Sequence, residues 1–199
     1  VLIVEGYMDV VSVYASGIQN VISNSGTAIT ERQINLIWKF FSNPIICLDG
    51  DDSGQKAAIR IAERLFPLIN DKNKIYFSVM PKGIDPDDFI KENGKDGLLN
   101  LLEKKEIIQT FIWNYHLSKI NQSNPYEISK FEKEIKKIAN SILDETLKKY
   151  VLEDFLEKIK KLTPLQNSKQ NYKYFSFSKK KDYKILKETK ILYQKRKDL

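Results

Sequence analysis

Short apolar runs, each closing on a turn and each followed by a helical stretch, constrain this chain more than any other feature. The runs are residues 1–4 (VLIV), 20–22 (NVI), 44–48 (PIICL) and 74–79 (KIYFSV). They are largely continuous rather than alternating, the pattern of strands buried on both faces of a parallel sheet. Between them lie segments with helical spacing. Residues 9–16 put Val10, Val13 and Tyr14 on one side. Thr30 is placed to cap a helix whose apolar face holds Ile34, Ile37, Trp38 and Phe41, and a third helix is expected from about 55 to 68. Strand and helix in alternation predict βα units, and hence an α/β fold built on a mostly parallel four-stranded sheet flanked by helices.

After about residue 95 the pattern changes. Residues 98–105, 107–121, 125–142 and 144–162 show helical periodicity with no strand between them, as in a small α-helical bundle. Residues 163–199 are polar, basic and dotted with aromatics. The stretch QNSKQNYKYFSFSKKK reads as a linker, and a further helix is expected at 181–197. Three regions follow: an α/β catalytic domain at 1–94, a helical subdomain at 95–162 and a basic linker or tail at 163–199.

Charge follows this division. Residues 1–100 hold 10 Lys+Arg and 13 Asp+Glu, whereas residues 101–199 hold 23 and 13. An acidic region followed by a basic one suits phosphate chemistry on nucleic acid, and equally a lysine-rich surface from an AT-rich genome. One cysteine, Cys47, excludes an internal disulfide, and with one histidine, His116, it argues against a Cys/His zinc site. Cys47 lies inside a strand and is expected to be buried and inert. Trp38 and Trp113 are expected in the core. No run approaches the roughly 18 apolar residues of a membrane span. The chain opens on a strand without Met or a basic leader, so it reads as a fragment of a longer cytoplasmic protein.

The acids are placed by the strands. In an open parallel sheet, ligands bind beyond the carboxyl ends of the strands. Glu5 ends the first strand, Asp49 and Asp51 end the third, and Asp85 and Asp87 sit in the loop after the fourth. Asp9 follows Glu5 at the start of the first helix. Carboxylates gathered at one edge repel one another, and the charge must be neutralised by protons or by a cation. Mg²⁺ suits such a cluster, because it takes oxygen ligands and keeps waters that phosphate oxygens replace. Glycine between Asp49 and Asp51 allows a tight backbone path. Each acid also has a structural reading: Asp-x-Asp as a turn or cap, and Asp85-Pro86 as a helix start. Lys56 and Arg60, on the helix after the acids, and Lys82, before the last loop, are candidate phosphate contacts.

Four segments in order, EGYMDV (5–10), SGTAIT (25–30), LDGDDSGQKAA (48–58) and KGIDPDDFI (82–90), resemble the Toprim domain of bacterial DNA primases. The helical region, especially LDETLKKYVLEDFLEKI at 143–159, resembles the helical subdomain that follows it, and the likeness fades after about 162. The resemblance implies synthesis of short RNA primers on single-stranded DNA. It implies divalent cations, Mg²⁺ or Mn²⁺, held by Glu5, Asp9, Asp49, Asp51, Asp85 and Asp87, with Glu5 acting as ligand or base. It also implies nucleoside triphosphates, an RNA primer, and a replicative helicase contacted through a C-terminal domain absent here, with zinc only in an upstream domain absent here. Asp52 and Ser53 depart from the family, which often has a basic residue and Ala there. The alternatives are another Toprim enzyme, a topoisomerase or nuclease, and a non-catalytic nucleic-acid or helicase-binding module. Tyr172, Tyr174, Phe175 and Phe177 could stack on bases or lie in a linker.

Overall fold

A computed structural model describes residues 1–24 and 28–162 of the chain. The turn at Gly26-Thr27, the aromatic residues Tyr172, Tyr174, Phe175 and Phe177, and the helix expected at 181–197 lie outside the described residues. Residues 1–162 form one compact unit.

The alternation expected from the sequence is present. Strand β1 (Leu2–Val4) is followed by α1 (Tyr7–Ala15), β2 (Val21–Ser23) and α2 (Glu31–Ile37). Then come β3 (Ile45–Leu48), α3 (Asp52–Leu65), a 3₁₀ turn (Phe66–Leu68), β4 (Tyr76–Val79) and α4 (Pro86–Glu103). The sheet order is β2-β1-β3-β4-β5, and the first four strands are mutually parallel. The expected four-stranded sheet is corrected to five. Strand β5 (Glu106–Ile107) runs antiparallel to β4, pairing Ile107 with Tyr76 and Glu106 with Phe77. Two residues give no periodic signal, so the stretch reads as the start of the following helix.

Strand alternation sends side chains to both faces. Ile3, Ile46, Leu48 and Phe77 pack with α2, α3 and the later helices. Leu2, Val4, Cys47 and Met80 pack in a second cluster with residues of α1 and α4. Cys47 is fully buried, and burial pushes its thiol up to about 12, which keeps it inert. The helices α5 (Ile108–Ser118), α6 (Pro125–Asn140) and α7 (Glu145–Leu162) enclose Trp113, Phe131 and Phe155. The Trp113 ring lies edge-on to Phe131 at 5.0 Å and tilted to Phe155 at 5.4 Å. This cluster is continuous with the Ile3 face of the sheet, so the bundle is anchored to the α/β part through a shared core.

Helix ends follow their local chemistry. Thr30 Oγ1 accepts the Gln33 N–H at 3.3 Å, and Gln33 Oε1 accepts the Thr30 N–H at 2.8 Å, a reciprocal cap. Helix α2 stops at Ile37, so Phe41 is exposed instead of joining its apolar face, while Ile34 and Trp38 are buried. Pro44 disfavours helical backbone at the residue before it and helps return the chain to β3. Helix α4 breaks at Gly94, whose φ of 66° only glycine adopts readily. Thr30→Ala should cost about 1 kcal/mol, lowering the melting temperature by roughly 2–4 °C. Thr30→Ser should retain most of the stability. Equal melting of the alanine variant and the parent in a thermal scan would contradict the capping role.

Candidate active site

Strands β1, β3 and β4 are parallel neighbours, so their carboxyl ends share one edge of the sheet. Glu5 follows β1 directly, Asp49 follows β3, and the loop leaving β4 leads to Asp85. The turn after β3 is fixed by a close approach. The Gly50 N–H donates to the Ile84 carbonyl at 3.3 Å. A Cβ on Gly50 would lie 1.8 Å from the Pro81 carbonyl oxygen and 2.5 Å from that of Met80. The missing side chain therefore lets the Asp49–Asp51 turn rest on the loop that carries Asp85.

Most of the acids have local partners. Asp51 caps α3, with Oδ1 accepting the Gly54 N–H at 2.5 Å and Oδ2 accepting from the Ser53 hydroxyl at 3.3 Å. Asp85 caps α4, with Oδ1 accepting the Asp88 N–H at 2.7 Å and Pro86 in the first helical turn. The capping readings of both motifs are thus realised, and each cap engages Oδ1. Asp9 is buried, and its Oδ2 accepts the Gly6 N–H at 2.9 Å, which ties it to the turn just after Glu5. Asp87 accepts from the Ser12 hydroxyl of α1 and pairs with Lys91 Nζ at 2.7 Å.

Two oxygens differ from these. Glu5 Oε1 and Asp49 Oδ1 are buried atoms without a hydrogen-bond partner. An unpartnered buried polar atom is costly, and more so when its group is charged. The electrostatics agree. Asp49 is pushed up to about 6, first by burial and then by the charges of Glu5, Asp9, Asp85 and Asp51. Glu5 is raised by burial, then by Asp51 and Asp9, with the Asp49 backbone N–H opposing. Asp9 is raised by burial against the Gly6 N–H, with Asp85 and Asp87 adding to the rise. Asp87 is lowered, because Lys91 and Ser12 donate to it. These mutual effects place all six expected acids in one electrostatic neighbourhood.

Among the described residues, no three of the metal-ligating side chains stand close enough together to hold an ion. Asp51 and Asp85 are engaged in helix caps, and Asp87 in an ion pair. The donor set still fits a hard, oxygen-liganded divalent cation. It is all carboxylate, and its two orphaned oxygens come from neighbouring strand ends.

Of the expected basic contacts, Lys56 and Arg60 are exposed on α3, and Lys82 is exposed in the loop beside Gly83. Arg60 lines a cavity of about 420 Å³ together with Glu5 and Arg64. His116 sits away from the acids, with Nε2 at 2.8 Å from Glu63 Oε1. Two residues near the acids escaped the sequence reading. Lys91 was visible in its spacing, four residues after Asp87. Ser12 had no signal, since it lies 75 residues from its partner.

The fold matches that of the DnaG Toprim core, and residues 2–90 match the Toprim-like family model. Over most of its length the chain is homologous to bacterial DNA primases. It is 35% identical over 176 residues to the DNA primase of Rickettsia prowazekii, which covers 84% of this chain and 30% of that protein. It superposes on a solved DnaG catalytic core with a TM-score of 0.74 at 30% identity, covering 80% of this chain and 51% of that one. A DnaG primase catalytic domain bound to ssDNA gives 0.74 at 29% identity, over 80% and 50%. The chain thus spans less than a third of the curated relative and about half of each solved core.

Proposed function

We propose that the chain is part of a DNA-dependent primase that makes short RNA primers on single-stranded DNA during replication in the bacterial cytoplasm. Residues 1–94 form its Toprim catalytic part and 95–162 its helical subdomain. The observation that carries this reading is the pair of buried, unpartnered oxygens on Glu5 and Asp49, in a neighbourhood shared with Asp9, Asp51, Asp85 and Asp87.

In this reading Glu5 and Asp49 would hold a divalent cation, Mg²⁺ or Mn²⁺, with the Asp51 and Asp85 carboxylates as further candidate ligands. When bound, the ion supplies charge neutralisation for a nucleoside triphosphate and activation of the primer 3′-hydroxyl. Asp9 is a positioning residue, acting through the Gly6 amide on the turn that presents Glu5. Asp87, bound to Ser12 and Lys91, ties α4 to α1 and fixes the loop that carries Asp85. The N-terminus of α3 and the exposed Lys56, Arg60 and Lys82 offer positive potential to phosphates. Template, triphosphates and the growing primer are the partners on this reading, and the helicase contact belongs to parts of the relatives outside this span.

The test is primer synthesis by the longer parent polypeptide on single-stranded DNA. Glu5→Gln and Asp49→Asn should each reduce the rate roughly 10²–10³-fold or more, as expected when a group acting on developing charge is removed. Synthesis within a factor of a few of the parent rate, in either folded variant, would remove that residue from the site.

A further inference from the structure

The sheet has a second opening, at the outer edge of β4. Strand β5 pairs only with Tyr76 and Phe77 of β4. Among the described residues, Ser78 and Val79 therefore have no strand on their outer side. A cleft of about 380 Å³ lies along this uncovered edge.

Its walls are planar and amide-rich. Phe111 and Tyr115 of α5 line it, with Asn114 and Ser118 beside them, Gln55 of α3 above and Lys104 at the end of α4. Phe111 lies flat on Phe77, with centroids 4.5 Å apart and 9° between planes, so this wall is held rigidly. The surroundings are basic. Lys104 lines the cleft, and Lys119 sits over the Tyr115 ring at 5.0 Å. The one carboxylate in the lining, Glu106, accepts from Asn114 Nδ2 at 3.1 Å, and the Asn114 carbonyl oxygen remains an acceptor.

We propose that this cleft receives one unstacked base of single-stranded nucleic acid, with the adjoining phosphates on Lys104 and Lys119. The proposal rests on the primase reading for its view that the strand is template. A base has a planar face to lie on an aromatic wall and polar edges to meet side-chain amides. Its flanking phosphates explain a lysine rim, which a neutral apolar ligand would not need. A peptide adding as a strand would find only two backbone positions to pair with, too few for stable augmentation. The cleft also adjoins the acid edge. Val79 is where the chain leaves for the Asp85 loop, and Gln55 stands on the helix that Asp51 caps.

The experiment uses the 199-residue chain and a short fluorescein-labelled oligothymidylate, with binding followed by anisotropy at low ionic strength. Ser118→Trp fills the cleft from an exposed helix position, and the pair Lys104→Glu/Lys119→Glu reverses its rim charge. Each should weaken binding about tenfold, the loss expected for one stacked base and its phosphates. A 5-iodouracil oligonucleotide should cross-link to Phe111 or Tyr115. Unchanged affinity in both variants with cross-links elsewhere, or no measurable binding by the parent chain, overturns the proposal. Unaltered thermal melting of the variants separates lost binding from lost fold. Mg²⁺ titration of the same samples judges the acid site independently. A working metal site with cleft-independent binding overturns the cleft alone. Absence of a metal site overturns the primase reading, and the cross-link still judges the cleft.

Discussion

Gly50→Ala should destabilise the chain by about 3 kcal/mol or more, at the upper end of what overpacking by one methyl costs. For a chain of this size the melting temperature should fall by roughly 6 °C or more. The cause is contact and not backbone strain. The new Cβ would meet the Pro81 carbonyl oxygen at 1.8 Å, and both it and the Met80 carbonyl belong to backbone that cannot rotate away. Relief requires moving the 80–84 loop off the Asp49–Asp51 turn, so metal binding should weaken together with stability. Gly83→Ala is the control. Gly83 has a φ of 77° and open space around its would-be Cβ, so alanine there should cost only the left-handed backbone penalty, about 1–2 kcal/mol. Thermal melts of the two variants check the assignment. A Gly50→Ala cost no larger than that of Gly83→Ala would mean that the two loops are not locked together at Gly50.

The second large effect concerns Asp49. Burial and the neighbouring carboxylates push its carboxyl up to about 6, against 3.8 for the ordinary group. Between those values the folded state binds more protons than the unfolded state, so stability falls as pH rises through that window. Above about pH 6 the full penalty is present, and below about 4 it is gone. Because Asp49 is only half-buried, solvent screening reduces the penalty to about 1 kcal/mol. Metal-free Asp49→Asn should therefore melt a few degrees above the parent at pH 8 and match it at pH 4. Saturating Mg²⁺ should reverse the order at pH 8. The parent gains about 2.7 kcal/mol at a hundredfold excess over the dissociation constant, and the variant gains little. Parallel shifts of parent and variant with Mg²⁺ would place the ion elsewhere.

Much of this was legible in the sequence because parallel strands announce themselves. VLIV, PIICL and KIYFSV are too apolar to face water, and the rule that ligands gather at carboxyl ends then sorted Glu5, Asp49, Asp51, Asp85 and Asp87 onto one edge without any coordinates. Thr30 and Asp85 were readable as caps because capping chemistry is local. What escaped is non-local or very short. Strand β5 is two residues and exists only because β4 offers an open edge. The bond from Ser12 to Asp87 joins positions remote in sequence. The end of α2 before Phe41 was missed because the apolar spacing continues past Ile37 into a hydrogen-bonded turn that is no longer regular helix. The state of each acid was also beyond the sequence. Which oxygens are taken by caps, by Lys91 or by Gly6, and which remain orphaned, depends on the loops that meet there.

The most direct measurement of the central claim is Mn²⁺ titration of the ¹⁵N-labelled chain, following paramagnetic broadening residue by residue. Amide signals of Glu5–Gly6, Asp49–Asp51 and the loop reaching Asp85 should broaden together at one stoichiometry, excess Mg²⁺ should restore them, and Asp49→Asn should abolish the effect. Broadening confined to one of these three stretches, or scattered over the exposed acids of α6 and α7, would contradict a single ion site built from three strand ends.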